Sequence, residues 1–429
     1  MTGVGGLALA LALGGVTPLA APAQAAVPAG GHVILYASVG DTIIPVDTVT
    51  RTAQAPLPVK AGFLAITPNG ATLLAVDRTS ATITPIDTAT RQIGAPFAVS
   101  GGSGELGQVA VTPDGTTAWL TRGDQWIVSV NLATHRSGTP IAVDGPVSLA
   151  LTPDGRRLLV TSLGPADGST EGGVTVIDTS RRTAGPLAVE GDIQGGITMA
   201  PGGRYAWVAD TATVYRVDTT TGKVDFEVPA GEMNESIAIT PNGSQVWFTD
   251  FFDKTGVIDV TSRQQVRSYY NDFYGARDVA ITPDGRTAWF DTSAPHGAGL
   301  VPVDTGTLEP GAVVTIGEVG VLVISPAQAP TARFGVQPAS HGALTRFDGS
   351  ASTAVQGRIV RYAWRFGDGT SARTSSAVIG HAYARAGTYS VQLTVTDSTG
   401  TSTSQVFTGQ TMNRNGKPRA ATIRQVVIG

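Results

Sequence analysis

Short apolar runs recur along most of the chain, and turns rich in Pro, Asn, Asp and Gly separate them. Within many runs apolar residues alternate with small or polar ones, as in residues 236–239 (Ser-Ile-Ala-Ile). Short runs with a period of two, bounded by turn residues, indicate β-strands rather than amphipathic helices. The sequence therefore predicts an all-β protein.

A turn motif gives these strands a long period. The tetrapeptide Thr-Pro-Asn/Asp-Gly recurs at residues 67–70, 112–115, 152–155, 240–243 and 282–285, with a variant at 200–203 and a shortened copy at Ser325-Pro326. Its prolines are 40 to 48 residues apart. Proline presets φ and glycine takes a positive φ, so each copy predicts a tight turn. A period of this length is typical of one four-stranded propeller blade.

The rest of the unit repeats as well. A bulky residue stands four positions after the turn glycine, at Leu74, Trp119, Leu159, Trp207, Trp247 and Trp289. We expect this column to pack between blades, because aromatic side chains bury the most apolar area. A third strand ends in Val/Ile-Asp-Thr, whose aspartate is predicted to cap backbone amides in a turn. A fourth strand, for example residues 184–189, closes the unit.

The two ends of the array complement each other. Residues 33–38 resemble a second strand, with Tyr36 in the bulky column, and residues 42–48 resemble a third strand, but no first strand precedes them. Residues 320–324 resemble a first strand without successors. We expect residues 33–59 and 320–325 to form one blade, because closure removes open sheet edges. The prediction is a seven-bladed β-propeller over residues 32–327.

The segment around the bulky column carries a family resemblance. It reads Tyr36-Ala37-Ser38 in one copy and Trp247-Phe248-Thr249 in another. With the period and the turn motifs, the segment resembles the YVTN family of propeller repeats, which implies an exported or surface-layer protein. The asparagine of that family is replaced here by Asp77, Asp210, Asp250, Arg122 or Ser162.

A second domain follows a Pro/Ala linker at residues 328–331. Tyr362, Trp364 and Phe366 alternate before a Gly-Asp-Gly turn, and the run from Tyr389 to Val395 alternates in the same way. Residues 332–429 thus resemble a PKD domain, an immunoglobulin-like β-sandwich. The resemblance implies a spacer or a contact module without catalysis. Residues 410–419 are predicted as a polar loop before a last strand at 421–428.

The first residues have the composition of an export signal. Residues 7–16 are apolar, and Ala23 and Ala25 are small residues at the spacing that signal peptidase requires, although no Lys or Arg precedes Arg51. We therefore expect a signal peptide at residues 1–26 and a secreted or cell-surface protein. No later segment has the length of apolar residues needed to span a bilayer.

Composition and motifs exclude several classes of function. The net charge of −4 provides no overall footprint for nucleic acid, and the absence of cysteine excludes disulfides. The five histidines fall in different blades or domains without metal-ligand spacing. We therefore predict no catalytic residue, no metal site and no cofactor.

One face of the propeller offers candidate ligand contacts. In propellers the loops from second to third strand and from fourth strand to the next first strand share a face. Exposed aromatic rings among carboxylates suit sugar rings, peptides or cations. The candidate contacts are Trp126, Asp250, Phe251, Phe252, Asp253, Tyr270, Asp272, Phe273, Tyr274, Asp291 and His296. Alternatively, these rings pack down as a plug over the central channel or against the second domain.

The sequence favours an exported, noncatalytic binding or scaffold protein whose loop face contacts an extracellular polysaccharide or protein. The alternative is a secreted, lactonase-like hydrolase or lyase on the same face. In that case His296 with Asp291, Asp250 or Glu235 would supply the acid and base. A surface-array subunit is a third, purely structural interpretation.

Overall fold

The computed structural model describes residues 31–166, 168, 172–190, 193, 195–252, 254–269, 275–293 and 297–429. Its regular structure is β throughout these residues, apart from one 3-10 turn at Pro418–Ala420. The predicted all-β fold class, a propeller followed by a β-sandwich, is confirmed.

Within the described residues, seven antiparallel four-stranded sheets precede the sandwich. The first strands among the described residues are β1 (Ile34–Val39), β2 (Thr42–Asp47) and β3 (Thr52–Ala53). Sheet A contains β4 (Phe63–Ile66), β5 (Thr72–Asp77), β6 (Thr82–Asp87) and β7 (Phe97–Ala98). Sheet B contains β8 (Leu106–Val111), β9 (Thr117–Arg122), β10 (Trp126–Asn131) and β11 (Ile141–Ala142). Sheet C contains β12 (Pro146–Leu151), β13 (Arg157–Ser162), β14 (Gly173–Asp178) and β15 (Thr183–Glu190).

Three further sheets follow the same order of strands. Sheet D contains β16 (Ile197–Met199), β17 (Tyr205–Asp210), β18 (Thr213–Asp218) and β19 (Val224–Pro229). Sheet E contains β20 (Asn234–Ile239), β21 (Gln245–Asp250), β22 (Gly256–Asp259) and β23 (Gln264–Ser268). Sheet F contains β24 (Val279–Ile281), β25 (Thr287–Thr292), β26 (Gly299–Asp304) and β27 (Val314–Thr315).

Sheet G joins the two ends of the array. Strand β28 (Leu322–Ile324) pairs antiparallel with β1, placing Tyr36 opposite Val323, and β2 and β3 complete the sheet. Strand β28 also lies between β24 of sheet F and β4 of sheet A, so the innermost strands form a closed ring. Pairing β28 with β1 removes the open edge that β1 would otherwise present.

The predicted turn motifs form a second ring on one face. The glycines at position four, such as Gly115 and Gly285, have φ near +77° and +75°. A side chain at Gly115 would meet the ring of Pro68 in the preceding sheet, and one at Gly285 would meet Pro241. Gly70 has the same relation to Pro326, the proline of the shortened last copy. The ring of turns therefore closes at the same joint as the strands.

The aspartates at the ends of the third strands cap turns, as predicted. In sheet F, Asp304 Oδ1 accepts hydrogen bonds from the amides of Gly306 and Thr307 at 2.9 and 2.8 Å. The same pair of bonds is made by Asp47, Asp87, Asn131, Asp178, Asp218 and Asp259. The amide three positions on lowers the pKa of Asp87, Asp218, Asp259 and Asp304.

The bulky column is buried between sheets. Trp207, Trp247 and Trp289 are fully buried, and Trp247 packs against Phe290 of the next sheet with ring centroids 5.9 Å apart. Trp289 belongs to a cluster with Leu35 of the closing sheet. The prediction that this column packs between blades is confirmed.

The C-terminal sandwich has two sheets around its own core. One contains β30 (Gly335–Gln337), β31 (Leu344–Asp348) and β34 (Val378–Ala382). The other contains β32 (Ile359–Arg365), β33 (Ser371–Thr374), β35 (Gly387–Asp397) and β38 (Ala421–Ile428). Trp364, Phe347 and Tyr383 fill the space between them. The Tyr383 hydroxyl donates to the carbonyl of Phe366 at 3.0 Å.

A third small sheet connects the two domains. Strand β29 (Ala327–Gln328) pairs in parallel with β37 (Met412–Asn415), which pairs with β36 (Val406–Phe407). We call residues 406–415 the C-terminal hairpin. The predicted polar loop at 410–419 is therefore wrong over β37, because Met412 is buried in the propeller core.

Candidate ligand-binding face

The propeller has two faces with different contents. The turn face carries the Thr-Pro-Asn/Asp-Gly motifs, and the C-terminal hairpin packs against it, where Arg414 Nε donates to the carbonyl of Pro283 at 2.6 Å. The opposite, loop face carries the connections from second to third strand and from each sheet to the next. The described residues among the predicted contacts, such as Phe251 and Phe252, belong to the loop face.

A depression of about 470 Å³ lies on the loop face between sheets E, F and G. Its walls come from four loops and contain Phe251, Phe252, Gly275, Arg277, Asp291, Ser293, Glu318 and Val319. The structure thus brings together Phe251, Phe252 and Asp291, which the sequence placed on one face.

Two phenylalanines form the apolar part of this depression. Phe251 and Phe252 are 41% and 51% exposed, and their rings meet edge to face with centroids 5.3 Å apart. The Arg277 guanidinium lies 5.8 Å from the centroid of the Phe251 ring. Exposed rings beside a cation and the exposed carboxylate of Glu318 form a surface with both apolar and charged contacts.

Asp250 shapes the loop instead of contacting a ligand. It is fully buried. Its Oδ1 accepts from the amides of Phe252 and Lys254 at 2.8 and 3.1 Å, and its Oδ2 accepts from those of Glu232 and Met233 at 2.6 and 2.7 Å. The prediction of Asp250 as a ligand contact is therefore wrong: four amides occupy its carboxylate, which holds the Phe251-Phe252 loop in place.

Asp291 has a similar structural role beneath the depression. It is 5% exposed, and its Oδ1 accepts from the amides of Arg277 and Asp278, both at 2.8 Å. Burial raises the pKa of Asp291 to about 7. Because it accepts from these two amides, Asp291 positions the loop that carries Arg277.

The central channel contains a second cavity, of about 280 Å³. Glu235 and Asp278 line it near the loop face. Burial raises the pKa of Glu235 and raises that of Asp278 to about 6. Gln410 of the C-terminal hairpin lines the other end, where its Nε2 donates to the carbonyl of Ile197 at 2.6 Å. The hairpin therefore closes the channel on the turn face.

Other predicted residues lie elsewhere. Trp126 is half-buried at the start of β10 in sheet B, three sheets around the ring from sheet E, so it does not join the depression. The remaining candidates lie outside the described residues: Asp253, Tyr270, Asp272, Phe273, Tyr274 and His296. The predicted signal peptide at 1–26 lies outside them as well.

Arg277 and Glu318 line the depression but were not predicted. Each lies in the connection that leads into the first strand of its sheet, Arg277 before β24 and Glu318 before β28. Charged residues just before a first strand were therefore an available signal for this face.

The described residues contain neither a metal-binding cluster nor a membrane-spanning helix. No group of three or more His, Asp or Glu side chains there is placed to hold a metal ion. No helix in the same part of the chain is long and apolar enough to cross a membrane.

Comparison with known families identifies a PKD domain in the C-terminal part of the chain. Residues 327–411 match the family model of the PKD domain. The match begins at β29 and ends before β37, so the last strand of the sandwich, β38, lies beyond it. The C-terminal domain is thus similar to PKD domains.

Comparison with solved structures supports the propeller fold. A 6-phosphogluconolactonase candidate from Bacteroides fragilis is similar over 68% of this chain and 97% of its own, with a TM-score of 0.53 and 12% identity. Dihydro-heme d1 dehydrogenase NirN is similar over 68% of this chain and 75% of its own, with a TM-score of 0.51 and 15% identity. A protein of unknown function from Desulfotomaculum acetoxidans is similar over 68% of this chain and 99% of its own, with a TM-score of 0.52 and 15% identity. These likenesses concern the fold alone.

Proposed function

We propose that the chain is an exported binding protein of the YVTN-like propeller type. Its loop face contacts a polysaccharide or a protein at the cell surface, and the PKD-like domain serves as spacer or second contact. The exposed Phe251-Phe252 pair in an open depression carries this proposal, because exposed rings beside charged groups bind sugar rings and peptide side chains. The PKD match supports it, since PKD domains are typical of extracellular proteins.

The carboxylates of the depression favour binding over catalysis. Asp250 and Asp291 are buried and accept hydrogen bonds from loop amides. A general base needs a lone pair directed at the substrate. Glu318 is the exposed carboxylate among the described residues of the depression, which it lines together with the cation Arg277.

A glycan array and a cell-wall pull-down with the mature protein test the proposal. The double variant F251A/F252A should weaken binding to any array ligand about tenfold or more, because two stacking surfaces are lost. Its melting temperature should stay unchanged, since both rings are exposed. The matched control is V49A/V266A, which removes apolar side chains that are 66% and 46% exposed away from the depression. Equal binding by wild type and F251A/F252A would remove the basis of the proposal.

The channel cavity supports a second candidate, a lactonase-like hydrolase or lyase. Glu235 lines this cavity, and its raised pKa brings it closer to the range in which a carboxyl group exchanges protons at neutral pH. A screen against sugar lactones and uronic-acid polymers tests it. Turnover that E235Q abolishes, while F251A/F252A leaves it unchanged, would establish this function in place of binding alone.

A further inference from the structure

The two domains carry opposite charges. Residues 332–429 contain 11 Arg and Lys against 3 Asp, a net charge of +8, whereas the whole chain has −4. The remainder of the chain therefore has a net charge of −12. A domain with such an imbalance creates a long-range field that attracts ligands of the opposite sign.

Three of these arginines share one exposed sheet face. Arg361 and Arg365 lie on β32, on the side opposite the buried Tyr362 and Trp364. Arg373 lies on the neighbouring strand β33, directly opposite Ala363, and so between the two other arginines. All three are exposed, and none has an ion pair with a described residue.

The rest of this face is neutral. Strands β35 and β38 contribute the outward residues Thr388, Ser390, Gln392, Thr394, Ala421, Ile423, Gln425 and Val427. The carboxylate in the four strands belongs to Asp397, which is 1% exposed and accepts hydrogen bonds from the amides of Thr399 and Thr401. No negative charge on the face therefore neutralises the guanidinium groups. We call this surface the arginine face.

We propose that the arginine face binds an acidic polysaccharide through carboxylate or phosphate groups that recur along the polymer. Guanidinium groups form paired hydrogen bonds with either anion. Arg361 and Arg365 are about 13 Å apart along the strand, with Arg373 between them on the next strand. A row of cations on a flat sheet fits an extended chain, and the Thr, Ser and Gln side chains beside it can hydrogen-bond sugar hydroxyls. The choice of a polysaccharide among polyanions rests on the surface location in the proposed function.

The test measures binding of the full chain to polygalacturonate, to a glycerol phosphate polymer and to neutral dextran. Wild type should bind one or both acidic polymers and should not bind dextran. Its affinity for the acidic polymers should fall as the salt concentration rises. The variant R361Q/R365Q/R373Q should raise the dissociation constant about tenfold or more, because three charge-assisted contacts are lost. The variant with lysine at the same positions should bind with intermediate affinity, since it keeps the charge but loses the fork of donors.

The matched control is R333Q/R346Q/R385Q, which removes the same charge from the same domain outside the four strands. It should retain most of the binding. Equal losses in the two glutamine variants would mean attraction by net charge alone and would overturn the assignment, as would no binding to either acidic polymer. Tighter binding of double-stranded DNA or of anionic vesicles would overturn it too. F251A/F252A should bind the acidic polymers normally, so a failure of the loop-face proposal is distinguishable.

Discussion

The backbone amide of Leu322 donates a hydrogen bond to Asp278 Oδ2 at 2.8 Å, although the two residues belong to neighbouring sheets. Asp278 Oδ1 accepts from the hydroxyl of Ser236, in sheet E, at 2.9 Å. One carboxylate therefore connects sheets E, F and G around the central channel, next to the joint between the two ends of the array.

This position predicts an unusual pH dependence. Burial raises the pKa from 3.8 to about 6 for Asp278 and to about 7 for Asp291. Between the ordinary and the raised pKa of each group, the folded protein holds a proton that the unfolded chain has released. The free energy of unfolding therefore falls as pH rises, by at most about 1.4 kcal/mol per pH unit for each group. D278N and D291N should each flatten this decline, because asparagine keeps an acceptor oxygen without the charge. Urea unfolding at closely spaced pH values measures the slopes.

D304N is the control with the opposite sign. The Thr307 amide lowers the pKa of Asp304, so its stabilisation is lost as pH falls below the ordinary value and not in the neutral range. Slopes that are the same in wild type, D278N and D291N would contradict the role assigned to burial.

Two serine hydroxyls accept hydrogen bonds at the joint of sheet G, and we expect their removal to destabilise the protein. Ser38 Oγ accepts from the amide of Val321 at 3.0 Å, and Ser325 Oγ accepts from that of Ile34 at 2.9 Å. S38A and S325A should each cost about 1–3 kcal/mol, because a partly buried amide loses its partner. Chemical denaturation measures the loss, and S340A, at an exposed site, should change nothing. No loss in either variant would show that the strand pairing alone holds the joint.

The close packing around Gly409 allows a test of how the C-terminal hairpin is held against the propeller. Its φ is +97°, and a side chain there would come within 2.9 Å of Ala150 Cβ and 3.1 Å of the Met199 amide. G409V should cost about 1–3 kcal/mol more than G369V, because Gly369 has a similar φ of +93° but open space around it. We expect calorimetry to show one transition for wild type and separate transitions for the two domains in G409V. Equal losses in the two variants would mean that backbone strain alone is measured.

The aspartate-capped turns predict a stabilising substitution. Four positions after the capping residue φ is positive in all seven sheets, as at Arg51 (57°) and Gly222 (69°). Glycine adopts this conformation without the penalty from Cβ. R51G should therefore stabilise the protein by about 0.5–1 kcal/mol, and G222A should destabilise it by about 1 kcal/mol. Midpoints of urea unfolding compare the two, and changes of the same sign would contradict the argument.

The sequence predicted the fold well where the determinants are local. Proline, glycine and aspartate at fixed spacing specify the turns through their own backbone preferences, so the period and the fold class followed from them. The C-terminal hairpin was missed because its partners, such as Met199 and Leu151, lie more than 200 residues away in sequence. No alternation in residues 404–416 indicates that Met412 is buried.

The candidate site was predicted only in outline. The sequence placed Phe251, Phe252 and Asp291 on one face, since loop order around a propeller follows chain order. It could not show that Asp250 and Asp291 turn inward, because the direction of a carboxylate depends on which amides the folded loop presents. The arginine face was missed for another reason: the net charge of −4 hides the opposite signs of the two domains.

The joint in sheet G determines when the ring can be completed. Strand β1 precedes β28 by nearly 290 residues along the chain, so it is synthesised well before its partner. Until β28 arrives, one edge of β1 has free amides and carbonyls that any other strand can pair with. A chain that stops before Leu322 would keep this edge open, and such incomplete chains are the form of the protein most exposed to aggregation through strand pairing.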